Sequence, residues 1–80
     1  MQELYLKGQY NYYTSSNDSA SFYYLKTLEL AKQNKDTSME IKALSSFSNV
    51  LANLKQFEKS ISYAKQAMSL ATKVNNKNAE

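Results

Sequence analysis

The sequence predicts an all-α chain of two helix-turn-helix units, and three observations lead there. The chain has no proline and a single glycine, Gly8, so nothing in it forbids long helices. Apolar residues recur at steps of three and four, as Phe57, Ile61, Ala64, Met68 and Ala71 do, which lines them along one helical face. Clusters of Ser, Asn and Asp punctuate the rest: "TSSND" at 14–18, "NKDTS" at 34–38 and "NNKN" at 75–78.

The opening helix is expected over residues 2–13. Leu6, Tyr10 and Tyr13 share one face there, while Leu4, Tyr5 and Tyr12 leave the helix apolar nearly all round. Gly8 weakens it by about 1 kcal/mol relative to alanine, which predicts fraying or a close helix contact. After "TSSND", Ala20, Tyr23, Tyr24, Thr27, Leu28 and Ala31 form one face of a second helix. The third, Ser38 to Leu54, aligns Leu44, Phe47, Leu51 and Leu54, joined by Ile41, Ala43 and Val50. Thr37 and Glu40 in "TSME" fit a capping box at its start, with the Thr hydroxyl accepting a backbone N–H and the Glu carboxylate reaching back. Only "KQ" separates Leu54 from Phe57, so the fourth helix, Phe57 to Val74, must fold back antiparallel on the third. Unit one spans about residues 1–35 and unit two about 37–75.

Eighty residues make one small domain, and such a chain buries a smaller fraction of its surface than a larger one. With no Cys and no His, neither disulfides nor a soft metal site can reinforce it. The net charge of +3 comes from ten lysines against seven acids, with no arginine. Bidentate readout of phosphates and guanines relies on arginine, so no nucleic-acid partner is expected. No apolar run approaches the roughly 20 residues that span a bilayer, so membrane insertion is not expected either. The compartment is undetermined by these residues, with a cytoplasmic setting favoured. Catalysis lacks its usual nucleophiles and bases, and no glycine loop could cradle a phosphate. Asp18 and Asp36 are best explained as turn and cap residues. The chain is expected to be no enzyme and to need no cofactor.

Sliding the sequence on itself by forty pairs Tyr23 with Tyr63, Leu30 with Leu70 and Ala31 with Ala71, and matches Ala20 with Ser60, Thr27 with Ala67 and Leu28 with Met68 in kind. In "LSSFSNVLANLKQFEKSISYAKQAMSL" a small residue, Ser48, follows large ones at Leu44 and Phe47, Leu51 comes next, and Phe57, Ser60 and Ala67 follow the turn. In this pattern the chain resembles the tetratricopeptide repeat family, in the longer variant of about forty residues common in bacterial regulators and sensors. Lys55 stands where the family has a turn glycine, Ser60 where it has alanine, and no proline closes the unit. In unit one Ala20, Tyr24 and Leu28 match well, but Lys7 and Asn11 sit where large apolar residues are expected. A shift of one residue, placing Leu6 and Tyr10 there, fits better.

The resemblance implies a short right-handed α-solenoid whose first helices line a concave groove for a protein or peptide partner. The third helix carries a polar stripe opposite its apolar one: Lys42, Ser45 or Ser46, Asn49 and Asn53. On the resemblance, these residues with Tyr5, Gln9 and Tyr12 of the first helix are the candidate binding site. Of the Lys, Arg and Asn set with which one family variant grips a peptide carboxylate, only Asn49 and Lys42 have counterparts. The expected function is a non-catalytic interaction module within a larger bacterial regulatory or signalling protein. The alternative is a self-assembling structural module. Two units are few for such a stack, and Glu80 aligns with Glu40, where a further unit would begin. A cut array of this kind is expected to expose Phe22, Leu25, Met68 or Val74 and to form homo-oligomers through its ends.

Overall fold

Three turns set the architecture, and they recur every twenty residues. Each puts one residue in the left-handed region: Ser15 at φ 65°, Lys35 at 56° and Lys55 at 62°. The following amide reaches back five residues to a helix carbonyl, Ser16 to Asn11 at 2.7 Å, Asp36 to Ala31 at 2.8 Å and Gln56 to Leu51 at 2.9 Å. The left-handed residues themselves donate to Tyr12, Lys32 and Ala52. These paired bonds close each helix as a Schellman motif. The carbonyls of Ser16, Asp36 and Gln56 then accept the first bonds of the next helices, from Ala20, Glu40 and Ser60. One residue thus ends a turn and begins a helix, and the chain must reverse.

The computed structural model describes the backbone of residues 2–79 and the side chains of residues 2–74. It is all-α, with α1 Gln2–Tyr13, α2 Asn17–Gln33, α3 Thr37–Asn53 and α4 Phe57–Ala79. Each helix packs on the next in sequence, and α1 also touches α3. The expected element order holds, with three corrections at the boundaries. Asp36, not Thr37, caps α3: its Oδ1 accepts from the Met39 amide at 3.1 Å. Thr37 already has helical geometry, so the Thr37–Glu40 capping box does not form. Asp18 is not a cap either, since α2 starts at Asn17 and Ser16 precedes it without a side-chain bond. Asp18 instead places a carboxylate in the first turn, where the helix dipole favours it. Finally, α4 continues through "NNKN", because polar residues break a helix only where a turn competes for the backbone.

Two joined clusters form the core. Ala20, Tyr24, Phe47, Val50 and Leu51 make the first, covered at its edge by Tyr5, Tyr12 and Tyr63. Leu28, Ala43, Leu44 and Ala67 make the second, flanked by Ile41, Tyr63 and Leu70. Thr27 is fully buried and bonds its hydroxyl to the Tyr23 carbonyl at 2.8 Å, so no polar group is stranded there.

The two units share a frame displaced by forty, without a shift of one residue. Leu6 and Tyr10 are exposed, at 53% and 69%, while Gly8, the counterpart of Ser48, is buried. Lys7 does stand where Phe47 stands: Phe47 packs edge-on against Tyr63 at 4.9 Å, and the Lys7 ammonium lies 5.9 Å over Tyr23. A cation over a ring replaces a ring against a ring. Asn11, the counterpart of buried Leu51, turns its amide back to the Lys7 carbonyl at 2.7 Å.

Candidate binding face

The contact between α1 and α3 brings together three of the expected binding residues, Tyr5, Gln9 and Ser46. Tyr5 and Ser46 join hydroxyls at 3.0 Å across the two helices, and the Gln9 amide donates to the Tyr5 hydroxyl at 3.3 Å. Tyr5 also tilts against Tyr24, with ring centroids 5.7 Å apart, and Tyr12 packs on the first core cluster. Both tyrosines are therefore part wall and part core: the ring is held by packing, and in Tyr5 the phenol tip is held by Ser46.

On α3 the polar stripe divides. Lys42 and Asn53 are exposed. Ser46, half-buried, points to α1. Ser45 and Asn49 lie one step round, on the rim of a trough between α3 and α4 whose walls are Ile41, Ala64, Met68 and Ala71. The structure thus brings Tyr5 and Gln9 together with Ser46, and places Ser45 and Asn49 beside α4. The sequence left Ser45 and Ser46 as alternatives because both fall on the wet side of a helix, and only the position of α1 separates them.

The trough itself was not expected. A signal for it existed in the offset of forty, which aligns Ser45, Asn49, Ala64 and Met68 with Tyr5, Gln9, Tyr24 and Leu28. Below it α3 and α4 cross closely through two serines. The Ser48 hydroxyl donates to the Ser60 carbonyl and the Ser60 hydroxyl to the Ser48 carbonyl, each at 2.9 Å.

Burial pushes the Tyr24 phenol up to about 12, opposed by the Ser46 hydroxyl. It sits in the core beneath the α1–α3 contact and shapes the wall from inside. Among the described residues, no group of three or more His, Cys, Asp or Glu side chains could hold a metal ion. No helix among them is long and apolar enough to cross a membrane. Compared with protein-family models, with curated proteins and with solved structures, the chain finds no match in any of the three.

Proposed function

We propose that the chain is a non-catalytic helical-repeat module of the tetratricopeptide kind that binds a protein or peptide segment along its first helices. The observation that supports this reading is the Tyr5–Ser46 bond, which joins a polar residue of α1 to one of α3 across the two first helices. Tyr5 and Gln9 on one helix, with Lys42, Asn49 and Asn53 on the other, then offer hydroxyl, amide and ammonium groups beside aromatic surface. Tyrosine suits such a face, because its ring gives contact area at little entropic cost and its hydroxyl stays wet. A larger regulatory or signalling protein is the setting this reading favours.

The test is a peptide selected from a random library against the folded chain, titrated into wild type and into Asn49→Ala/Asn53→Ala. The double variant is expected to keep the far-UV signal of the wild type and to weaken binding at least tenfold, about 1.4 kcal/mol. Unchanged affinity would remove the α3 stripe from the site. The alternative, self-assembly, is favoured by a separate observation: both ends of the stack expose apolar side chains.

A further inference from the structure

We infer that the α3–α4 trough is the seat for helix α1 of a second copy of this chain, so that copies join head to tail. The inference rests on the reading of the chain as a helical-repeat interaction module and names the partner for one of its ends.

The chain already contains one such seat, filled. The α1–α2 hairpin presents Tyr5, Tyr24 and Leu28 to α3, and α3 answers with small side chains, Ala43, Ser46 and Val50. Ala43 and Val50 are fully buried against the core clusters and Ser46 bonds Tyr5. Forty residues on, the α3–α4 hairpin presents the same face with both tyrosines replaced by small side chains. Ser45 and Ala64 stand for Tyr5 and Tyr24, and Met68, the counterpart of buried Leu28, is 69% exposed. This seat is roomier, it is continuous with the core through buried Ala67, and no helix among the described residues fills it.

The helix equivalent to α3 is α1, where the sizes change the other way. In place of Ser46 and Val50 it carries Leu6 and Tyr10, while Glu3, aligned with Ala43, is a charged residue of its exposed first turn. Leu6 and Tyr10 are exposed on the end of the stack opposite α4. Leu6 and Tyr10 over Ser45 and Ala64 fill the space that Ser46 and Val50 against Tyr5 and Tyr24 fill inside the chain, and interiors tolerate apolar exchanges that conserve total volume. The two patches differ and lie at opposite ends, so the contact is heterologous and propagates rather than closing on itself.

Sedimentation velocity from micromolar to millimolar concentration tests this, on wild type, Tyr10→Glu and Met68→Glu. Both positions are exposed, and far-UV signals matching wild type are expected. Wild-type mass should rise with concentration past two chain masses, and each variant alone should stay at one. An equimolar mixture of the two variants should form a one-to-one pair and nothing larger, because only one good junction can be made. A monomeric wild type, a Tyr10→Glu chain that still self-associates through α4, or variants that ignore each other when mixed would each overturn the inference. Peptide binding measured on the monomeric Tyr10→Glu chain separates this outcome from the proposed function: binding that persists there leaves that reading standing whatever the sedimentation shows.

Discussion

The two helical hairpins solve the same crossing with different chemistry. In the first, α1 approaches α2 through Gly8, and a Cβ there would lie 2.7 Å from two ring carbons of Tyr24. In the second, α3 and α4 meet through Ser48 and Ser60, which bond each other's backbone carbonyls, and the counterpart of Tyr24 is Ala64. A bulky ring at one position demands the absence of a side chain at another. Where the ring is missing, hydroxyls hold the crossing instead. The difference teaches that position in the frame is kept while the side chain that satisfies it is free to change with its neighbours.

The largest break is expected at the ring. Tyr24 is 2% exposed, and Tyr24→Ala should cost about 3–5 kcal/mol, as aromatic truncations in cores do. Ala64→Gly, its counterpart, sits on the half-exposed trough wall and should cost only about 1 kcal/mol through helix propensity. Urea unfolding of both variants measures the contrast.

A pH titration sharpens the same point. The Tyr24 phenol has its folded pKa raised from 10.0 to about 12, so above pH 10 the unfolded chain gives up this proton more readily than the folded one. The stability this group provides is complete below the unfolded pKa and is lost as pH rises through the folded one. The melting temperature should fall between pH 10 and 12, and Tyr24→Phe should remove that group's share of the fall.

The serine crossing should show the opposite kind of coupling. Ser48→Ala or Ser60→Ala alone should cost about 1 kcal/mol each, by removing one hydroxyl bond from a packed crossing. Replacing both should cost clearly less than the sum, because two methyl groups can pack where one lone hydroxyl cannot be satisfied. Additive losses would mean that the two hydroxyls act independently. The smallest effects belong to the turns that both hairpins share. Lys35 and Lys55 hold left-handed backbone that glycine adopts freely, so Lys35→Gly and Lys55→Gly should each gain about 0.5–1 kcal/mol.

Helix number and order, and the buried faces of α2 and α3, were legible in the sequence because they rest on the spacing of large side chains. The stripes read on α1 (Leu6, Tyr10, Tyr13) and α4 (Phe57, Ile61, Met68) are exposed, because spacing marks an apolar face but not whether a neighbour covers it. The turns were harder. Ser15, Lys35 and Lys55 stand where glycine would have announced the left-handed residue, so the spacing of twenty stayed hidden behind the weaker identities at forty. Unit one misled for a related reason: Lys7 and Asn11 look foreign to an apolar stripe until Tyr23 and the Lys7 carbonyl are seen beneath them. Of the candidate face, Tyr5 and Gln9 were named on the resemblance, and the choice of Ser46 over Ser45 as the partner of Tyr5 needed α1 in place. The trough could be read only after the shared frame was fixed, since Ala64, Met68 and Ala71 are unremarkable helix residues on their own.

A shared frame with compensating side chains is tested most directly by the coupling between positions 8 and 24. Four chains suffice: Gly8→Ala, Tyr24→Ala, both together and neither, all carrying Lys35→Gly and Lys55→Gly to keep each corner folded. With the ring present, Gly8→Ala overpacks by about 1–3 kcal/mol against a propensity gain of about 1, and is expected to destabilise or at best break even. With the ring removed, the same change should stabilise by about 1 kcal/mol. A Gly8→Ala effect of one sign and size in both backgrounds would contradict it.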